Sequence, residues 1–379
     1  MYVRVVGVGL MLASGLAQLS WAQPLAVQLR TAQAEKSRLL EIERQLKTVT
    51  QTVEESPNQA RPALEVLRSL IEARADNFKW LIKNEPAEAL RNELPESLSL
   101  RIQGISSDLG LLIEQQGAWS GSLNVYIEHD IEHKTSRTVY RMLVGEAEAE
   151  LHFADVPPAL QCARISVRGV RLGNRIAVAA VERSAVSIPC STTGVQNIAV
   201  IYARFPGTPF AADATSAYVQ NTFFGSKTRS LNAFWAENSM GLTSASGVVV
   251  GPVTLDNDYT SCDSALIEAA AVKAADSLVD LRNYQRVFVV FPSRPGCDLA
   301  SGQVGCGAHF SPSHGLYLAS QSVLSIGANP PPNNLLTVIA HEGGHNLGLG
   351  HASSLDYGAI PLGPLNKSGV DDEYGDFFS

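Results

Sequence analysis

Apolar residues in the N-terminal third recur at spacings of three and four. Leu39, Ile42, Leu46, Val49 and Val53 form one stripe, while Glu41, Arg44, Gln45 and Lys47 lie off it, which predicts an amphipathic helix. Pro57 and Pro62 punctuate the run, and a second stripe of Leu64, Leu67, Ile71, Phe78 and Leu81 follows. A helical hairpin is expected. Each run is too short for a stable coiled coil between chains, so the stripes point to packing within a monomer.

From about Ser120 the period falls to two. LNVYIEHD, RTVYRMLV, AELHF, ARISVRGV and NRIAVAAV alternate apolar and polar positions between turn-forming residues, which predicts a small antiparallel meander or barrel ending near Val186. His129 and His133 stand four apart in EHDIEH and would share a strand face, but so many flanking charges favour a solvated edge over a metal site. IPCSTTG, residues 188–194, reads as a linker. Beyond it come the apolar strand VQNIAVIYARF, an Ala-rich helix from Ser264 to Leu281, the buried strand RVFVVFP and a helix from Leu335 with Asn333 and Asn334 as cap candidates. Strands alternating with helices predict a separate α/β (α+β) domain with a mixed sheet from residue 195 to 379.

Composition agrees with two folded units. The 379 residues exceed the usual size of one domain, and 45% hydrophobic against 17% charged residues suffices for a packed core. With 29 Lys and Arg against 37 Asp and Glu, the net charge of −8 supplies no basic field, so nucleic acid and anionic membranes are not expected partners. Met1 to Arg4 followed by an uncharged stretch from Val5 to Leu29, with small residues at Ser20 and Ala22, reads as a signal peptide over 1–22. The mature chain is then expected to be secreted, extracellular or periplasmic, without stable membrane association. Five cysteines suit an oxidising compartment and leave one thiol over. Local pairings Cys162–Cys190 and Cys297–Cys306, leaving Cys262 free, are the first expectation among fifteen two-bridge arrangements.

The chemistry concentrates in His341-Glu342-Gly343-Gly344-His345-Asn346-Leu347-Gly348-Leu349-Gly350-His351. On a helix His341 and His345 lie one turn apart on the same face, and Gly348 lets the chain turn so that His351 returns as a third ligand. Three imidazoles with a fourth position open to water describe a catalytic zinc site, with Glu342 beside it as general base.

This stretch is similar to the long zinc-binding motif of the metzincin metallopeptidases. From about Asn197 onward, IYARFP, FWAENSMGLTSASGVVVGP, the Cys297 to Cys306 loop, VIAHEGGHNLGLGHAS and EYGD resemble the gametolysin family within that clan, over roughly half the chain. The resemblance implies a metzincin-like catalytic domain over 195–379, His341, His345 and His351 as Zn2+ ligands, Glu342 as catalytic base, and a protein or peptide substrate such as a cell-wall or extracellular protein. It also implies a pro-region, helical over 23–118 and β-rich over 119–194. Cys190, just before the catalytic domain, is a candidate latency ligand of the cysteine-switch kind. Asp256, Asp258 and Asp263 are weaker calcium candidates, with a turn and helix cap the plainer reading. In one respect the chain departs from the family: Met1, Met11, Met142 and Met240 all precede His351, so the methionine turn expected beneath the zinc is missing. The expectation is therefore a secreted zinc metalloendopeptidase. The alternative is a truncated, catalytically impaired metzincin acting as a zinc-binding module.

Overall fold

The computed structural model describes residues 31–55, 60–130, 135–158, 162–187, 190–210, 214–226, 229–326, 334–351, 354–357 and 370–372. The expected signal peptide, His133, Asn333 and EYGD lie outside them. The helical hairpin forms from α1 (Ala32–Glu55) and α2 (Ala60–Asn84), with Leu39, Ile42 and Leu46 packed against Leu67, Ile71, Phe78 and Leu81. Pro62 is tolerated because it falls in the first turn of α2, where its missing N–H has no helical partner to lose. Short helices α3 (Pro86–Arg91), α4 (Glu96–Ile105) and α5 (Ser107–Gly110) follow. Phe78, Leu81 and Ile82 seal the hairpin onto Val170, Leu172 and Ala177 of the next unit.

That unit consists of β1 (Gln115–Asp130), β2 (Thr135–Val144), β3 (Ala147–Phe153), β4 (Ala163–Leu172) and β5 (Arg175–Ser187). Its neighbours run β2-β3-β5-β4-β1 and β1 also pairs with β2, so the strands close on themselves as a small barrel. All its pairings are antiparallel except β3 with β5, which is parallel. The alternating residues Leu123, Val125, Met142, Leu151, Ile165, Val167, Ile176 and Val178 fill its interior.

The C-terminal part contains β6 (Gly194–Arg204), α6 (Ser216–Phe224), α7 (Leu231–Asn238), β7 (Thr243–Thr254), α8 (Ser264–Ala275), β8 (Arg286–Pro292), β9 (Leu299–Gln303), β10 (Gly307–Ser311), β11 (Gly315–Ile326), α9 (Asn334–Asn346), β12 (Ser354–Asp356) and β13 (Val370–Asp372). The order β9-β11-β8-β6-β7 is parallel except for β9, which runs antiparallel to β11. Every residue of RVFVVFP is buried, as expected of a strand covered on both faces. The Ala-rich helix ends at Ala275, six residues short of Leu281, because Asp276 turns away to accept hydrogen bonds from Ser311 Oγ and the Ser313 N–H. Asp263 caps α8 through the N–H groups of Ala265 and Leu266, Asp256 pairs with Lys273 and Asp258 with Arg294. The calcium candidates thus form a turn and a cap.

Barrel and C-terminal layer share one sheet. β1 pairs with β4 over Gln115–Leu123 and then with β9, Tyr126 opposite Gln303 through Asp130 opposite Leu299. On the face of β1 that carries Tyr126 and Glu128, the junction buries Arg141. Its guanidinium reaches Glu128 Oε1 at 3.0 Å and Glu268 Oε2 at 3.2 Å, donates to Ser264 Oγ, and lies 4.2 Å from the Tyr126 ring centroid. Glu148 approaches from the side at 3.8 Å. Burial, countered by Arg141 and reinforced by repulsion from Glu148, pushes the Glu268 carboxyl up to about 8. The folded chain then holds a proton that the unfolded chain releases near pH 4.3, so stability falls as pH rises toward 8. Glu268→Gln imitates the protonated carboxyl. It is expected to flatten that decline in thermal melts between about pH 5 and 8; an unchanged slope would show that Glu268 is ionised in the fold.

The disulfides differ from the expected local pairs. Cys190 bonds Cys306 and Cys262 bonds Cys297, leaving Cys162 as the free thiol, 3.6 Å from Cys190 Sγ. The correction has a topological reason: β4 and the linker meet the loop before β10, which brings together cysteines remote in sequence. Cys190 is accordingly oxidised and unavailable as a thiolate latency ligand.

Candidate metal centre

Helix α9 carries the long motif. Leu335 and Ile339 bury one side of it against Leu231, Trp235 and Leu324, which leaves His341, Glu342 and His345 facing β9 and β1. Its C-terminal end is pinned by Asn346, whose Nδ2 donates to the carbonyls of Gln303 at 3.0 Å and Gln321 at 3.3 Å and whose Oδ1 accepts from Ser322 Oγ. The buried Arg286 guanidinium donates to the Asn346 carbonyl, as well as to Gln196 and the Ser191 carbonyl in the linker. A cation at a helix C-terminus satisfies carbonyls that lack partners in the helix. Gly348 then takes φ +89°, a conformation that costs other residues a steric clash, and the turn returns His351 to the helix face.

His341, His345 and His351 therefore meet, as the spacing predicted. Their ring centroids lie 4.8, 5.2 and 5.0 Å apart. A fourth ring joins them from a strand where a solvated edge was expected. His129 of β1 lies 4.8, 5.6 and 5.0 Å from His341, His345 and His351 respectively. Together the four form a group whose ligand atoms all fall within 4.8 Å of one another, able to hold a metal ion. The reading of EHDIEH fails because the outer edge of β1 is covered by β9. Glu128 turns to the Arg141 cluster while His129, on the other face, turns to α9. The only signal in the sequence was a histidine on an alternating strand, and its partners lie more than two hundred residues away.

Burial and the neighbouring imidazoles lower His129 to about 3 and His341 to about 4, so both are neutral, the form in which imidazole binds metal. His345 Nδ1 donates to the Leu349 carbonyl 2.9 Å away, which leaves the buried, unbonded Nε2 lone pair facing the cluster. His341 is the solvent-facing member. Glu342 is fully buried, with Oε1 3.6 Å from His129 Nε2 and Oε2 without a hydrogen-bond partner. Burial raises its carboxyl well above the usual range.

Close approach of β9 to α9 depends on Gly302. A Cβ there would stand 2.6 Å from Glu342 Oε2, 3.0 Å from the Glu342 carbonyl and 3.1 Å from His345 Cβ. Gly302→Ala must push strand and helix apart and is expected to weaken metal affinity by about 10–100-fold, read by competition with a chromophoric chelator. Wild-type affinity in a folded variant would show that the helix yields without disturbing the cluster.

No protein-family model matches the chain, and no curated protein matches it.

Proposed function

We propose that this chain is an exported zinc metalloendopeptidase of the gametolysin-like, metzincin type, with His341, His345 and His351 holding Zn2+ and Glu342 as general base. The observation that carries this reading is the buried Glu342 carboxyl beside three imidazoles delivered by one helix and its terminal turn. The donor set fits the ion. With nitrogens about 2.0–2.1 Å from zinc, tetrahedral geometry separates imidazole centroids by about 5.2 Å, and the three measured separations are 4.8–5.2 Å.

Zinc held there supplies Lewis-acid polarisation of a carbonyl and lowers the pKa of water to near neutrality. The protein's own work falls to Glu342. As a carboxylate beside the three imidazoles, it would take a proton from attacking water and return it to the leaving amine. The Asn346 and Arg286 contacts hold α9 still while this happens, which matters because misplacement by about 1 Å costs about 10²-fold in rate.

A second reading, a zinc-binding module without hydrolysis, draws on the fourth imidazole, since four protein ligands are the habit of structural zinc sites. Hydrolysis of unfolded casein by the zinc-loaded chain, before and after a cut between barrel and C-terminal layer, separates the two readings. Chelator-sensitive cleavage that appears after the cut supports the peptidase. Zinc retained with no cleavage in either state overturns it in favour of the module.

A further inference from the structure

The barrel does more than precede the metal centre; it enters it. β9 is the strand beside Glu342, and its outer edge is the place where an extended peptide added by main-chain pairing would run past the cluster. That edge is already occupied. Tyr126–Asp130 of β1 pairs with Leu299–Gln303 in antiparallel register, and the side chain that this pairing aims at α9 is His129. Its ring stands as far from the three motif histidines as they stand from one another, 4.8–5.6 Å against 4.8–5.2 Å. Four rings with all six separations between 4.8 and 5.6 Å approximate a tetrahedron, the arrangement that leaves no coordination position for an outside ligand.

We propose that β1 is a built-in latch, in which Tyr126–Asp130 fills the outer edge of β9 and His129 supplies a fourth imidazole that closes the metal site of the intact chain. The proposal deepens the metallopeptidase reading and rests on it for its physiological sense, since closing a site matters only if the open site works. The role that the sequence offered to the Cys190 thiol passes to an imidazole on a strand. The Glu128 contacts to Arg141 and Arg137, on the opposite face of β1, hold the latch in register.

Two measurements on the full chain test it without relying on hydrolysis. X-ray absorption of the zinc-loaded protein should count four imidazole ligands from their outer-shell ring scattering; three imidazoles plus an oxygen ligand without such ring scattering would overturn the proposal. In the cobalt(II) form, azide should leave the visible spectrum of the wild type unchanged and perturb that of His129→Ala, with about tenfold or more tighter apparent binding in the variant. Equal azide response in both would overturn it. His129→Gln, which keeps a polar side chain on the strand, guards against an Ala variant that fails to fold, and the same azide response is expected of it. If azide enters the variants but casein remains intact in their zinc forms, the latch stands and the peptidase reading falls.

Discussion

Glu342→Gln is expected to bind metal as the parent does and to hydrolyse casein roughly 10²–10⁴-fold more slowly. The parent for this comparison is the His129→Ala chain, in which the metal site is open. Metal retention is expected because the imidazoles alone supply the ligand set, and because the amide preserves the shape of a side chain packed against β9. Activity should fall because an amide can neither take a proton from water nor return one to the leaving amine. Steady-state rates with metal content measured on the same samples decide the matter. A zinc-loaded variant within about tenfold of its parent would remove Glu342 from the chemistry.

Loss of Arg141 should have the largest effect on stability. Its guanidinium is the shared partner of Glu128 and Glu268, with Glu148 close by, all at the seam between barrel and C-terminal layer. Burial by itself would favour a neutral side chain, but Tyr126 and the surrounding carboxylates hold it charged. Arg141→Ala strands the ionised Glu128 and Glu148 carboxylates in a site closed to water, for which a cost of about 3–5 kcal/mol is expected. Urea unfolding at pH 7 reads this directly. The loss should shrink at pH 5, where the stranded carboxyls more readily take up protons; a loss below about 1 kcal/mol at both values would show that they are relieved by solvent or rearrangement.

Features that depend on local spacing were legible in the sequence. The helix stripes, the period-two segments, the buried run RVFVVFP and the chelating face of α9 each follow from neighbours within a few residues. Features created by strands meeting across the chain were not. Nothing near Glu128 says that Glu268 and Arg141 will enclose it, and nothing near Cys190 says that Cys306 will bond it before Cys162 can. His129 belongs to the same class. Alternation places it on a face, but only the pairing of β1 with β9 determines what that face meets.

The Cys190–Cys306 bond has a consequence for any processing of the chain. It staples the last residues before β6 to the loop that precedes β10, so Cys190 travels with the metal-binding part however the backbone is cut. Hydrolysis of a peptide bond after Cys190 leaves hairpin and barrel covalently attached, and His129 stays at high local concentration beside the cluster. Hydrolysis between β5 and Cys190 leaves the two pieces joined only by non-covalent contacts, the β1–β9 pairing and the Arg141 cluster, and so able to separate. On a non-reducing gel the first product migrates as one species and the second as two, which makes the position of the cut, a few residues either way, the difference between a tethered inhibitor and a departed one.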